Sequence, residues 1–177
     1  ELIFKYDKDY QVIEINDLKR FIKDMTAIRG PVGKTVQGRR VILTSELKIT
    51  KNIEITSVEN ENYLRLIGPI HFGHRDKKIE IRFNDVGSNP DGYKGLLRCE
   101  TDNIAADATA AEKLEKSPII KHIITVGVGD NTLYSGGTNS GGGYLVSIRQ
   151  PYFQMVVCKN TIEIGSNYAG GLVGSEA

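Results

Sequence analysis

An internal repeat in the last third of this chain constrains its fold more than any other feature. Segment 126–134 is similar to segment 155–163, so Asn131 and Asn160 occupy equivalent positions. Farther along, segment 143–146 matches segment 170–173 at a slightly smaller offset. The period is shorter than that of WD40 and kelch repeats, which is about 40–50 residues, and ankyrin or TPR repeats are helical. A short repeat made of strands alone therefore predicts a β-solenoid, in which successive coils stack through parallel strands.

Glycine is unevenly distributed along the chain, and many of the 19 glycines lie in this repeated region. Glycine adopts positive φ without a steric cost, so it suits the corners of stacked coils. An inward-facing asparagine at a corner can bond to the next coil. The repeat thus predicts a set of structural corner residues: Asn131, Asn160, Gly143, Gly170, Gly171 and Gly174.

The N-terminal part of the chain contains the pattern of an amphipathic helix. Over 17–25 the apolar residues recur at spacings of three and four, and charged residues occupy the other face. Asn16 offers an N-cap oxygen, and Gly30 followed by Pro31 ends the pattern. We expect a helix of about two turns that caps the first coil.

Short strands separated by turn residues follow the helix. Within 78–83 apolar and charged residues alternate strictly, which is typical of a half-buried strand. The alternation is interrupted over 102–117, where alanine, glutamate and lysine predominate and Pro118 follows. These are good helix formers, so this segment is predicted to be an exposed helix or a mobile insertion between strands.

The end of the chain resembles a known repeat family. Cys158, Asn160 and Tyr168 precede the sequence Gly-Gly-Leu-Val-Gly at 170–174, and this arrangement is similar to one GLUG-type repeat. Such repeats occur in secreted bacterial adhesins, in non-catalytic regions of IgA-cleaving proteases and in surface proteins of large DNA viruses. The resemblance covers only the end of the chain, 158–174 at its best, and implies a right-handed parallel β-helix.

Repeat and resemblance together predict an all-β fold, a right-handed parallel β-helix of the pectate-lyase-like solenoid type with an N-terminal capping helix. We expect one domain, the N-terminal fragment of a longer repeat protein. Its predicted parts are a cap (1–38), the first coils (39–100), an insertion (101–118) and GLUG-like coils (119–177).

Composition excludes several functional classes. The 23 basic and 22 acidic residues leave a net charge of +1, too small to attract nucleic acid. No apolar run approaches the roughly 20 residues of a membrane helix. Two cysteines cannot form a disulfide framework or a structural zinc site. We therefore predict no nucleic-acid partner, no membrane span and no cofactor, and we expect Cys99 and Cys158 to be buried small hydrophobic residues.

Two groups of residues are weak candidates for chemistry. Asp85, Asp91 and Glu100 could serve as the grouped carboxylates of a carbohydrate-active enzyme, although aspartates that flank a turn also favour the turn itself. His71 and His74 could bind a metal only with a third ligand from a neighbouring coil, and the basic residues around them argue against it. No metal site is predicted, and a solvated basic turn is the preferred interpretation.

The favoured function is a non-catalytic, adhesin-type surface module that attaches, binds a glycan or a protein, or spaces other domains. Tyr134, Tyr144 and Tyr168 are its candidate glycan-contacting residues. It would lie outside the cell, on a cell surface or on a virion. End-to-end self-association through an open last coil is also expected. The alternative is a β-helix carbohydrate-active enzyme, either a polysaccharide lyase or a glycoside hydrolase.

Overall fold

The structure is a computed structural model that describes a large part of the chain. The described residues are 4–6, 11–28, 32–33, 46–56, 62–83, 95–100, 105–127, 132–135, 151–159 and 161–164. Their helices are α1 (Leu18–Ile28) and α2 (Ala110–Glu115). Their strands are β1 (Phe4–Tyr6), β2 (Val12–Ile15), β3 (Val32–Gly33), β4 (Glu46–Ile49), β5 (Ile53–Ile55), β6 (Leu64–Ile67), β7 (His71–Phe72), β8 (Ile79–Phe83), β9 (Leu97–Glu100), β10 (Ile119–Gly127), β11 (Thr132–Ser135), β12 (Tyr152–Lys159) and β13 (Thr161–Ile164).

Eight of the described strands form one main sheet. Its order is β1-β2-β4-β7-β10-β8-β5, and β12 pairs with β10 beside this path. The pairing of β1 with β2 is antiparallel, and the pairings of the other strands in this sheet are parallel. One face of these strands carries buried aliphatic residues, and the residues between them along the chain point the other way.

The main sheet bends within β10. The residues before His122 pair with β7, and the residues after it pair with β8. His122 itself has φ of 56°, a left-handed conformation that non-glycine residues seldom adopt. In the neighbouring strand β12, Met155 has φ of 55° and occupies the same register as His122. The two strands therefore turn the same corner side by side.

Two smaller parallel sheets lie outside the main sheet. One contains β3, β6 and β9 in that order, and the other pairs β11 with β13. In the second, Thr132 lies opposite Thr161, and these two threonines are equivalent positions of the internal repeat. Residues that are equivalent in the two copies of the repeat are therefore partners in a parallel strand pair.

The core consists of apolar side chains that stack from strand to strand. Leu47, Phe72 and Ile120 are consecutive partners in register and are all fully buried. In the smaller sheet, Leu66 and Cys99 are partners in the same way. Each such side chain contributes about 1.5–3 kcal/mol when it is fully buried, so these stacks stabilise the parallel registers.

Helix α1 confirms the predicted amphipathic helix. The predicted apolar face, Leu18, Phe21, Ile22 and Met25, is buried against β5 and β6. Its N-cap differs from the prediction by one residue, because Asp17 rather than Asn16 precedes the first turn. The Asp17 Oδ1 accepts a hydrogen bond from the Arg20 N–H at 3.1 Å. A carboxylate at this position also interacts favourably with the positive end of the helix dipole.

Helix α2 lies within the segment predicted to be an insertion. Thr109 and Glu112 form a capping box, in which the Glu112 N–H bonds to Thr109 Oγ1 at 3.2 Å and the Thr109 N–H bonds to Glu112 Oε2 at 2.7 Å. None of the helix residues is buried. Local capping and helix propensity, rather than packing, therefore account for this helix.

The predicted all-β, right-handed parallel β-helix is wrong. The fold is mixed: a largely parallel sheet curls into a half-barrel, mostly strands with two helices, and the described residues show no closed solenoid. The antiparallel pair β1–β2 ends the sheet with a different pairing at one side. Period-two alternation and glycine turns predict strands and their parallel stacking. They do not determine whether the strands close into a ring, because closure depends on the conformation of every connection.

Candidate functional site

A group of interacting charged and histidine side chains lies on the outward face of β4, β7 and β10. Strand alternation directs Leu47 and Phe72 into the core and leaves Glu46 and His71 on the opposite face. The two outward residues are partners in register, so their side chains are neighbours. Lys121 of β10 reaches the same place, and its side chain is only 10% exposed.

Short distances join these three side chains. The Lys121 Nζ lies 2.8 Å from His71 Nδ1 and 3.4 Å from Glu46 Oε1. The His71 Nδ1 lies 3.7 Å from the same Glu46 oxygen. His74 completes the group from the turn after β7, with its Nε2 3.4 Å from Glu46 Oε2. We call Glu46, His71, His74 and Lys121 the Glu46 cluster.

The turn after β7 orients the His74 ring. Its Nδ1 accepts a hydrogen bond from the Asp76 N–H at 3.1 Å, so the neutral ring carries its proton on Nε2. That proton faces the Glu46 carboxylate. The Asp76 carboxylate lies 3.6 Å from Nδ1 and attracts the ring only when the ring is charged. Around it, Arg75, Lys77 and Lys78 are exposed, as expected for a solvated basic turn.

The environment of His71 favours its neutral form. Desolvation by burial lowers the pKa of His71 first, and the positive charge of Lys121 lowers it further. The negative charge of Glu46 opposes both effects without cancelling them. Because Lys121 can only donate, the neutral His71 accepts at Nδ1 and carries its proton on Nε2.

The arrangement does not make a metal centre. In the part of the chain that the structure describes, no group of three or more histidine, cysteine, aspartate or glutamate side chains is placed to hold a metal ion. In the Glu46 cluster the ammonium of Lys121 already occupies the lone pair of His71 Nδ1. The cluster is therefore a set of mutually compensating charges and hydrogen bonds.

A second outward group lies on β6 and β9. Arg65 donates from both Nε and Nη2 to Glu100 Oε1, at 3.1 and 2.8 Å. Arg65 and Arg98 are partners in register, which sets two like charges side by side. Arg98 instead stacks over the ring of Tyr63, 3.6 Å from its centre. We call Tyr63, Arg65, Arg98 and Glu100 the arginine strip.

Of the predicted catalytic carboxylates the structure describes Glu100, and the catalytic role of all three stays a prediction. Glu100 lies on the outward face of β9 with its Oε1 bound to Arg65. Asp85 and Asp91 lie outside the described residues, so their distances to Glu100 are not defined. The neighbouring-strand carboxylate that approaches both His71 and His74 is Glu46.

Most of the predicted binding and corner residues also lie outside the described part of the chain. Tyr134 belongs to β11, opposite Glu163 of β13. Its role in binding stays a prediction. The other positions lie outside the described residues, and their roles also stay predictions: Tyr144, Tyr168, Asn131, Asn160, Gly143, Gly170, Gly171 and Gly174.

Sequence reasoning missed Glu46 and Lys121. A signal for Glu46 was present, because its separation from His71 is close to the repeat period and it begins an alternating strand in the outward position. Lys121 gave a weaker signal, as one charged residue among the apolar residues that begin β10. Lys121 can belong to the Glu46 cluster because its long side chain covers apolar surface while its ammonium reaches a carboxylate.

The two cysteines differ. Cys99 is buried as expected, and burial raises the pKa of its thiol, which keeps it protonated and unreactive. Cys158 was expected to be buried as well, and this prediction is wrong, since its side chain is exposed on β12. The two are separate free thiols.

None of the described helices has the length and apolar character needed to cross a bilayer. Comparison of the chain with protein-family models, with curated proteins and with solved structures gives no match.

Proposed function

We propose that this chain is a non-catalytic attachment module that binds a glycan or a protein partner at a surface. The arginine strip is the observation that supports this proposal. It combines an aromatic ring, two arginines and a carboxylate on the outward face of adjacent parallel strands. Tyrosine and arginine are the side chains most enriched where proteins bind partners, because they combine large contact area with hydrogen bonding.

The strip is held in place before any partner arrives. Tyr63 is joined to α1 through its backbone, whose N–H donates to Thr26 Oγ1 at 3.0 Å. Arg98 rests on the Tyr63 ring, and Arg65 is held by Glu100. Side chains that are already ordered lose little conformational entropy on binding. A small contact area can therefore still give a measurable affinity.

The same contacts weigh against acid–base catalysis by Glu100. A general acid must present its carboxyl group to the leaving oxygen, whereas Glu100 Oε1 accepts two hydrogen bonds from Arg65. The enzyme alternative is retained as an outcome of the test, since it would rest on Asp85 and Asp91. Extracellular, cell-surface or virion location and end-to-end self-association are further parts of this proposal, as is the GLUG-type resemblance.

A panel of immobilised neutral and acidic polysaccharides and of surface glycoproteins tests the proposal. We expect binding without release of reducing ends or unsaturated products. Arg98→Ala should weaken binding about tenfold. Arg82→Ala is the matched control, because Arg82 is also an outward strand arginine with a carboxylate neighbour, Glu80, at 3.1 Å.

Two outcomes would overturn the proposal. One is depolymerisation of any panel member that is lost in Asp85→Asn or Asp91→Asn, which would establish the enzyme alternative. The other is equal binding by the wild type, Arg98→Ala and Arg82→Ala, which would show that the arginine strip is not the binding surface.

A further inference from the structure

We propose that the Glu46 cluster is an acid-sensitive contact, in which protonation of His71 breaks its hydrogen bond with Lys121 and loosens β7 from β10. The proposal concerns the response of the fold to pH and does not depend on the proposed function. It rests on the placement of one histidine beside a nearly buried ammonium, at the point where three parallel strands meet.

The contact lies where the main sheet has little backbone pairing. Strand β7 contains two residues, His71 and Phe72, which pair with β4 on one side and β10 on the other. A strand this short adds few ladder hydrogen bonds, so the side-chain contact from Lys121 to His71 supplements the packing of Phe72 on Ile120 in joining β7 to β10. Loss of this contact should weaken the pairing of β7 with both β4 and β10.

The turn after β7 is packed against the same lysine. The Gly73 N–H donates to the Leu47 carbonyl at 2.9 Å, and a Cβ added at Gly73 would lie 1.9 Å from the Lys121 carbonyl oxygen. The backbone of the turn and that of Lys121 are therefore in close contact. A shift of Lys121 away from a charged His71 would be transmitted to the turn.

The groups facing His71 from each packed element leave a new positive charge poorly compensated. Strand β4 contributes Glu46, whose Oε1 is already 3.4 Å from the Lys121 ammonium of β10. The turn contributes His74 and Asp76, and the carboxylate of Asp76 lies beside His74. Farther along the faces, Lys48 pairs with Glu14 at 3.7 Å, and Gln154 of β12, opposite Lys121, is neutral. The exposed cations Arg75, Lys77 and Lys78 add further positive charge in the turn.

Protonation also removes the acceptor that Lys121 uses. A doubly protonated imidazole has two donors and no acceptor, so Nδ1 and the ammonium would present protons to each other across 2.8 Å. Both cations would then compete for one carboxylate. Separation of the two side chains relieves this repulsion, and that separation is the opening step.

The sign of the stability change follows from linkage. The pKa of His71 in the fold is lowered, by burial first and then by Lys121, from a usual value of 6.5. The unfolded chain therefore binds the proton more readily than the folded chain. The contribution of His71 to stability is fully present above pH 6.5 and is lost as the pH falls from there through the lower, folded-state pKa.

His74 provides the internal control. Its ring nitrogens face carboxylates, Glu46 Oε2 at 3.4 Å and Asp76 Oδ2 at 3.6 Å, and not the Lys121 ammonium. A positive charge on His74 therefore meets opposite charges. His71 in β7 and His74 in the turn after it are thus in contrasting electrostatic environments, so replacing them should have different effects on acid sensitivity.

Urea unfolding of the full chain at about pH 8 and about pH 5 tests the proposal. The wild type should lose about tenfold in its folding equilibrium constant for each unit by which the pKa of His71 differs between the folded and unfolded chain. His71→Asn places a non-titrating acceptor near the position of Nδ1, and its acid loss should be smaller. His74→Gln keeps a donor near Glu46 and leaves the contact of Lys121 with His71 in place, so its acid loss should be at least as large as that of the wild type.

Two results would overturn the proposal. An acid loss in His71→Asn equal to that of the wild type would show that His71 is not the sensing group. The second test needs no variant: nitrogen NMR of the wild-type imidazoles should show His71 protonated at Nε2 and titrating below pH 6.5. A His71 midpoint above that value would refute the mechanism even if the variants fail to fold. The protection factors of the Gly73 and Ile119 amides, which bond to neighbouring carbonyls, should fall on acidification together with this titration, each exchange rate being compared with that of an unfolded peptide at the same pH.

Discussion

The two outward charge groups of this protein share an architecture and differ in chemistry. Both are built across parallel strands, the arginine strip on β6 and β9 and the Glu46 cluster on β4, β7 and β10. The arginine strip contains no histidine. Because histidine is the side chain whose ordinary titration falls between about pH 5 and 8, only the Glu46 cluster is expected to change its charge there. The comparison teaches that two parallel sheets of one protein can carry surfaces of different kinds, one of constant charge and one that titrates.

Burial separates the two groups as well. The side chains of the Lys121–Glu46 pair are 10% and 24% exposed, whereas those of the Arg65–Glu100 pair are 16% and 38% exposed. Water screens the second group and weakens its contribution to stability, while the ammonium of the first group depends on its protein partners. Removal of one member should therefore cost more in the Glu46 cluster.

The largest loss of stability is expected from Gly73→Ala. This substitution would disrupt the backbone contact that holds the turn after β7 against Lys121, and with it the Glu46 cluster. Gly73 has φ of 105°, and its added Cβ would meet the Lys121 carbonyl oxygen at 1.9 Å. We expect the free energy of unfolding to fall by about 3 kcal/mol, measured by urea unfolding. Asp76→Ala in the same turn removes an exposed side chain and should stay within about 0.5 kcal/mol. Equal stability of Gly73→Ala and the wild type would contradict the close approach.

Glu46→Gln and Glu100→Gln compare the two groups directly. Glu46→Gln leaves the Lys121 ammonium with His71 and without its carboxylate, and we expect a loss of about 2 kcal/mol in the free energy of unfolding. Glu100→Gln removes a partly exposed pair with Arg65, and its cost should be below about 1 kcal/mol. Equal losses in urea unfolding at the same pH would refute the distinction by burial.

Thr26→Val sharpens the comparison by testing what supports the arginine strip. The Thr26 hydroxyl lies 2.7 Å from the Tyr63 carbonyl and 2.8 Å from the Ile22 carbonyl, and it accepts from the Tyr63 N–H. Its one proton can serve only one carbonyl at a time. Valine keeps the shape and removes these bonds, so stability should fall by about 1.5 kcal/mol, with faster exchange of the Tyr63 amide.

Thr50→Val is the matched control for that change. The Thr50 hydroxyl donates to the Ile15 carbonyl at 3.1 Å, while the backbone N–H of the same residue also donates to that carbonyl. The acceptor therefore keeps a donor in the variant. A larger loss from Thr50→Val than from Thr26→Val would count against the role assigned to Thr26.

The smallest effect is expected from the stacking of Arg98 on Tyr63. A double-mutant cycle with Tyr63→Leu and Arg98→Ala should give a coupling energy of about 0.5 kcal/mol, as is usual for a cation–π contact at an accessible site. The coupling should be the same at about pH 5 and about pH 8, because no histidine takes part. A coupling that disappears on acidification would make the arginine strip titratable too.

Local elements were predictable from the sequence because their causes are local. The spacing of Leu18, Phe21, Ile22 and Met25 determines which face of α1 is buried, and the strict alternation over 79–83 matches β8 in extent and burial. The offset between the two copies of the repeat appears as the register of β11 and β13. These features need only the periods of helix and strand and the similarity of two segments.

Two features could not be predicted from the periods of helix and strand: whether the strands close into a ring, and which side chains form the Glu46 cluster. Strand β10 pairs with β7, β8 and β12, and the lengths of chain between its partners are unequal. The side chains that meet therefore depend on the number of residues between paired strands. Glu46 and Lys121 are 75 residues apart in the chain and were not recognisable as a pair before the lateral order of the strands was known.

The matched bends at His122 and Met155 have a consequence for how this sequence can change. Three paired residues precede the bend in each strand, Ile119 to Lys121 in β10 and Tyr152 to Gln154 in β12. Insertion of one residue before the bend in β10 alone would put the two corners out of phase and reverse the inward and outward positions on one side. An insertion within β10 would therefore need a matching insertion in β12 to keep the two bends in register.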